Sequence, residues 1–223
     1  MPTNSDLRVA VITGRHPYDI VNFSQLLRSL EGIDAYTQSL EEFAVEFTKE
    51  NLGQYDAFVF FNYHRDPLPD DEQAPWHEGR KRAALEHIAN TEQGLVFLHH
   101  GLLCWPDNPR WDELIGMKHR DSFEVKFGQT LNVSVLNRDH PITAGLSNWV
   151  MIDETYSLGA PDETVDLLLA TDHPLSMPYL AWTKQKDEKR IFNLQSGHDA
   201  QTWRNPNFKT VLERGIHWSA NRS

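Results

Sequence analysis

The chain has 223 residues, about one and a half times the ~150-residue prior for a domain, a length that one α/β domain absorbs. Hydrophobic residues make up 39% and aromatics 11%, enough to bury a sizeable core, which sets aside the disordered and fibrous classes. With 21 basic against 32 acidic side chains the net charge is −11, which argues against nonspecific binding to nucleic acid or to an anionic membrane surface.

The start, Met1 to Asp6, is polar, and the first apolar run, Val9 to Ile12, is far too short for a secretory h-region. No window approaches the ~20 apolar residues of a membrane span, so a soluble, cytoplasmic protein is expected. Leu7 to Gly14 is a β-branched run ending in Gly, a buried strand followed by the loop Arg15 to Asp19. Ile20, Phe23, Leu26, Leu27 and Leu30 recur at helical spacing up to Gly32. Ile33 to Ser39 reads as a second strand and Leu40 to Leu52 as a second helix. Tyr55 to Tyr63 is almost unbroken apolar text, the pattern of a parallel strand covered on both faces, with His64-Arg65-Asp66 just past its carboxyl end. A Pro-rich acidic link, Asp66 to Pro75, leads to a helix over Trp76 to Asn90. Gly94 to His100 is another buried strand, turning at Gly101.

This alternation predicts a three-layer, flavodoxin-like, doubly wound, mostly parallel sheet with right-handed crossovers. The β-type alternation at Phe123 to Leu136 and the strand-rich stretch 150–195 are expected to extend the same sheet in antiparallel fashion. An edge strand within 123–136 is then available to pair with a second copy in a homo-oligomer. A final amphipathic helix covers Asn205 to Ala220. No repeat or low-complexity tract is present, and a single domain, 1–223 with a core of about 8–220, is expected.

Eleven histidines and one cysteine are the unusual counts. One Cys excludes an internal disulfide framework and any multi-Cys zinc site, and it fits a reducing compartment. In an open α/β sheet the ligand crevice lies outside the carboxyl ends of the strands. There the sequence sets His16 with Tyr18 and Asp19, His64 with Arg65 and Asp66, and His99 with His100. His119, the pair Asp153-Glu154 with Tyr156, and His198-Asp199 follow later. Two neutral imidazoles and a carboxylate suit zinc, manganese or non-haem iron, and imidazole is also a general acid or base near neutral pH. Neither HExxH nor CxxC occurs. His77 and His87, roughly 80° apart around one predicted helix, are read as structural, as are His140, His173 and His217. Cys104 lies too far past the turn at Gly101 for a nucleophile elbow and reads as a buried thiol. Trp105, Trp111, Trp182 and Trp203 lie near candidate loops, where flat aromatic faces suit sugar rings, although most of the seven Trp are expected in the core.

Several ordered motifs carry a resemblance. They are Thr13-Gly14-x-His16, Gly94-Leu95-Val96-Phe97-Leu98-His99, and Trp111-x-Glu113-Leu114-Ile115-Gly116 with His119. Asp139-His140-Pro141-Ile142-Thr143-x-Gly145-Leu146, Asp153-Glu154-x-Tyr156, and Gly197-His198-Asp199 with Trp203-x-Asn205-Pro206 complete the set. Over roughly residues 8 to 220 the chain resembles the ThuA-like family, named for trehalose utilisation and related in fold to class I glutamine amidotransferases. The resemblance implies that His99 occupies the elbow where those enzymes carry a Cys, and that Gln195 to Asp199 corresponds to their downstream histidine segment. Without the thiolate, glutamine hydrolysis through a thioester has no nucleophile. His100, a second histidine after the elbow, departs from the commoner family pattern.

The resemblance further implies a role in sugar catabolism on a disaccharide or a keto derivative. The expected protein is a hydrolase, lyase or isomerase on a small carbohydrate. His99 or His198 is its general base or acid, Glu154 a partner acid or ligand, and Tyr156 and Asp199 orient their neighbours. His16, His64, His100, Trp105, His119 and Trp203 are expected to touch substrate. A divalent metal (Zn, Mn or Fe), if present, falls to His16, His99, His198 and Glu154. The alternative is a non-catalytic sugar-binding or regulatory module on the same fold.

Overall fold

A computed structural model describes residues 6–45, 48–68, 70–72, 75–76 and 79–221; the polar start Met1 to Ser5 and His77 lie outside them. Among the described residues nine strands form one sheet in the order β2-β1-β3-β4-β9-β8-β7-β5-β6. Five are parallel: β1 (Leu7–Gly14), β2 (Ile33–Ser39), β3 (Ala57–Asn62), β4 (Gly94–Leu98) and β9 (Lys189–Leu194). The antiparallel extension is β8 (Tyr179–Lys186), β7 (Asp166–Thr171), β5 (Val125–Val135) and β6 (Trp149–Tyr156).

The unbroken apolar strands are explained by cover on both faces. Val9, Val11, Val59, Phe61, Val96 and Leu98 pack against α1 (Ile20–Arg28) and α7 (Pro206–Ser219) through Phe23, Leu26, Leu27, Phe208, Val211 and Leu212. The alternate residues, Ala10, Ile12, Phe58, Phe60, Leu95 and Phe97, meet α2 (Leu40–Val45), α4 (Lys81–Asn90) and α5 (Pro109–Ile115). Each fully buried Leu or Phe contributes about 1.5–3 kcal/mol of hydrophobic free energy, so both faces hold the sheet.

Three expectations change. The helix expected over Leu40 to Leu52 is two, α2 and α3 (Lys49–Leu52), because the Thr48 side chain accepts from the Asn51 amide and restarts the helix there. The helix expected from Trp76 begins at Lys81. The 123–136 region is interior only at its end: residues 133–135 pair with β7, whereas residues 125–132 have ladder partners on β6 alone, and β2 and β6 end the order. The β6 edge is itself engaged, since Thr202 Oγ1 and Asn205 Nδ2 donate to the Ile152 and Val150 carbonyls from α6 (Ala200–Trp203) and the α7 cap.

The antiparallel extension curls back onto the parallel half of the sheet. Gln195, just after β9, donates through Nε2 to the Glu154 carbonyl at 2.9 Å, and the Met177 amide donates to the Tyr156 carbonyl at 2.6 Å. The end of β6, last in the sheet order, therefore reaches the carboxyl end of β9 near its centre. No helix among the described residues is long and apolar enough to cross a membrane.

Candidate active site

His99 follows β4 on a tight 3-10 turn, His99–Leu103, with φ of 53°. A non-Gly residue held there costs about 1–3 kcal/mol and persists where its surroundings impose it. The imposing contact is local: a Cβ on Gly101 would lie 2.1 Å from the Phe60 carbonyl oxygen, so only glycine lets the turn pack onto β3. The His99 ring is fully buried. Its Nδ1 is 2.8 Å from the Gln195 carbonyl, which only accepts, so Nδ1 carries the proton. The Nε2 lone pair then faces the Tyr156 hydroxyl at 2.8 Å, His198 Nδ1 at 3.3 Å and Glu154 Oε1 at 3.5 Å.

Glu154 arrives through a defect in the β5–β6 ladder. Lys126 pairs with Thr155 and Gln129 with Asp153, so Phe127 and Gly128 together oppose Glu154 alone. Such a bulge re-aims side chains, and here four consecutive residues, Asp153 to Tyr156, are buried where simple alternation would expose two. Glu154 Oε2 lies 2.9 Å from His198 Nδ1. Burial opposes its charge, but the bond from His198 and the electrostatic pull of the neighbouring imidazoles prevail and hold its carboxyl well below the usual range. The same bond raises the pKa of His198 against the cost of its partial burial. Burial, then the Glu154 charge, pushes the Tyr156 phenol well up, so it keeps its proton.

Asp153, noted in the sequence only as half of an acidic pair, holds the His198 loop. Its Oδ1 accepts from the amides of Glu154 at 2.9 Å and His198 at 3.1 Å, and its Oδ2 from the Gly197 amide at 2.8 Å. Burial raises its pKa, opposed by His99 and these amides. Trp203 steadies the same loop: its indole donates to the Gly197 carbonyl at 2.8 Å while the ring packs in the core against Phe23 and Phe61. Trp203 is thus placed beneath the loop. Asp199 caps α6, accepting from the Gln201 amide.

The other expected residues divide. His100 is buried behind His99, its Nδ1 3.0 Å from the Asn62 carbonyl and its ring 4.4 Å from Phe61 and 4.4 Å from His16. His16 faces His198 edge-on at 6.2 Å. His100 Nε2 and His16 Nδ1 are both buried without a hydrogen-bond partner. Burial lowers the pKa of each, His100 far below the usual range, so both are neutral at pH 7. His64 belongs to a neighbouring group: Asn62 Nδ2 donates to its Nδ1 at 2.9 Å, its ring stacks on Trp105 at 5.9 Å, and its Nε2 is 3.7 Å from Glu41, which pairs with Lys81. Burial pulls its pKa down to about 4. Trp105 is buried, and its carbonyl, with those of Leu102 and Cys104, accepts from the fully buried Arg120, which Asp112 neutralises. His119 is exposed, with no bond or ring contact to the cluster. Trp182 is core, donating to the Ile115 carbonyl. Cys104 donates to the Asn62 carbonyl, and burial pushes its thiol up to about 12, which disqualifies it as a nucleophile.

His99, Glu154 and His198 each offer a ligand atom, and these lie within 4.8 Å of one another. Two imidazoles and a carboxylate, with one imidazole locked by a carbonyl behind it, form a donor set that fits zinc, manganese or iron(II). His16 lies outside that trio.

A family model described as ThuA, trehalose utilisation, matches residues 8–219. No curated protein matches the chain. Among solved structures, a ThuA-like protein from Parabacteroides merdae is similar at a TM-score of 0.71 and 18% identity, covering 96% of this chain and 90% of that one. A cytoplasmic protein from Salmonella typhimurium gives 0.69 and 12%, covering 96% and 99%. A glutamine amidotransferase from Thermotoga maritima gives 0.54 and 10%, covering 96% and 98%. At these identities the likeness establishes the fold, that of the class I glutamine amidotransferases.

Proposed function

The chain belongs to the ThuA family, and on that premise we propose that it is an enzyme of carbohydrate breakdown that moves protons on a small sugar derivative. The observation that carries the reading is the juxtaposition of two imidazoles of opposite character on one buried, ionised carboxylate. His198, whose proton Glu154 stabilises, is the acid. His99, whose Nδ1 proton is committed to the Gln195 carbonyl, turns an Nε2 lone pair toward the same space and is the base. Tyr156 donates its hydroxyl proton toward His99 and orients the ring. Glu154 keeps its charge throughout and holds the His198 ring.

A divalent cation would be held by His99, Glu154 and His198; when bound it would take the His99 Nε2 lone pair and the place of the His198 Nδ1 proton, and would supply Lewis-acid polarisation of a sugar carbonyl or hydroxyl instead of that proton-transfer pair. Glutamine hydrolysis is disfavoured by chemistry at the elbow, where an imidazole stands and the chain's single thiol is elsewhere. The test is turnover of trehalose and its keto derivatives followed by NMR, with and without Mn2+. Conversion that His99→Ala and His198→Ala abolish, in variants that stay folded, is the expected result. Full conversion by both variants, or saturable sugar binding with no conversion of any probe, would refute an enzymatic role.

A further inference from the structure

The bulge that turns Glu154 inward has an outward consequence. It leaves Phe127 two-thirds exposed (67%), with its ring 5.4 Å from His198. Gly128, at φ 62° with nothing within 4 Å of a notional Cβ, makes the bulge and keeps the space beside the ring open. The ring borders a pocket of about 250 Å3 that is also lined by Ile152, Asp153, Glu154, His198, Asp199 and Gln201.

We propose that this pocket is the subsite for one neutral, unphosphorylated pyranose ring, seated with an apolar face on Phe127 and its hydroxyl edge toward Asp199, Gln201 and the Glu154–His198 pair. The proposal rests on the reading of the protein as a sugar enzyme and names the residue and the chemistry that select its substrate. Three observations carry it. The lining combines two apolar side chains, Phe127 and Ile152, with hydrogen-bonding groups, the two kinds of surface a pyranose itself presents. Glu154 and His198 are part of its lining, so a ring in the pocket lies against the proposed acid and its carboxylate. Its lining holds three carboxylates, Asp153, Glu154 and Asp199, against the one protonated imidazole of His198 and no Lys or Arg, so a phosphorylated or acidic sugar meets a net negative lining.

Saturation-transfer NMR with glucose and trehalose as probes tests this, with glucose 6-phosphate as the charged comparison. Saturable binding of glucose or trehalose is expected, at least tenfold weaker in Phe127→Ala, retained in Phe127→Trp, and at least tenfold weaker for glucose 6-phosphate than for glucose. Phe127 is exposed, so both variants should melt with the wild type, and Mn2+ affinity should not change in either. Equal binding by Phe127→Ala, tighter binding of the phosphorylated sugar, or no saturable binding of either neutral probe by the wild type overturns the subsite. Loss of catalysis in His99→Ala with the Phe127 effect on binding intact faults neither reading. Absence of any wild-type turnover alongside that binding effect faults the enzymatic reading alone.

Discussion

Asp153→Asn exchanges one carboxylate oxygen for an amide group in a space occupied by three backbone N–H donors. Oδ1 serves the Glu154 and His198 amides and Oδ2 serves the Gly197 amide. The less costly orientation of Asn keeps its oxygen on the first two and turns its NH2 against the Gly197 N–H, leaving that buried donor unpaired at about 1–3 kcal/mol. The two surviving bonds lose their charge assistance, at roughly 0.5–1 kcal/mol each, and relief from burying a carboxylate offsets part of this. The net loss is about 3 kcal/mol, which for a domain of this length lowers the melting midpoint by roughly 6–12 °C. Because the amides released carry the His198 loop, Mn2+ affinity should also fall, by about 10- to 100-fold. Differential scanning calorimetry and a Mn2+ titration on the same preparation read both effects. An Asp153→Asn protein melting within about 2 °C of wild type would refute the clamp, because no arrangement of the amide satisfies all three donors.

Glu154→Gln removes the group that raises His198, so the His198 titration midpoint followed by NMR should fall. In the wild type the folded state holds that proton more tightly than the unfolded chain. The pairing therefore adds stability below pH ~6.5, which is lost as pH rises through the folded value; an unmoved midpoint in the variant would contradict the pair. His64 has the opposite sign: with a folded pKa of about 4, the unfolded chain takes up its proton first, and stability falls as pH drops from ~6.5 to ~4. That single group accounts for about 3 kcal/mol of acid sensitivity, so urea melts of His64→Gln at pH 7 and pH 4.5 should differ less than those of the wild type. Cys104 should resist iodoacetamide at pH 8 in the native protein and react once urea unfolds it; rapid native alkylation would contradict a thiol held at about 12.

The parallel half of the fold and the histidine positions at its strand ends were legible because both depend on local text. Unbroken apolar runs mark doubly covered strands, and the residues that follow them converge in space whatever their sequence separation. His16, His99, His100 and His198 meet for that reason. Other features depended on pairing between distant strands. Phe127 and Asp153 take their meaning from a bulge in the β5–β6 ladder, a register shift that alternation along either strand does not reveal. Arg120 is legible only once three carbonyls of the Trp105 turn surround it. Trp203 illustrates the reverse: an aromatic in a loop-like motif suggests a ligand platform, but its short helix docks on α1 and makes the ring part of the core. His64 follows its strand as expected, yet β3 delivers it to Glu41 and Trp105 on the flank of the central cluster.

The central claim is that His99, Glu154 and His198 act as one unit. Equilibrium dialysis of Mn2+ against the purified wild type and against His99→Ala, Glu154→Gln, His198→Ala and His16→Ala tests it most directly. One ion per chain in the wild type and in His16→Ala, and none in the other three folded variants, is the predicted result. Unchanged binding in any of those three, or no binding by the wild type, would contradict the account.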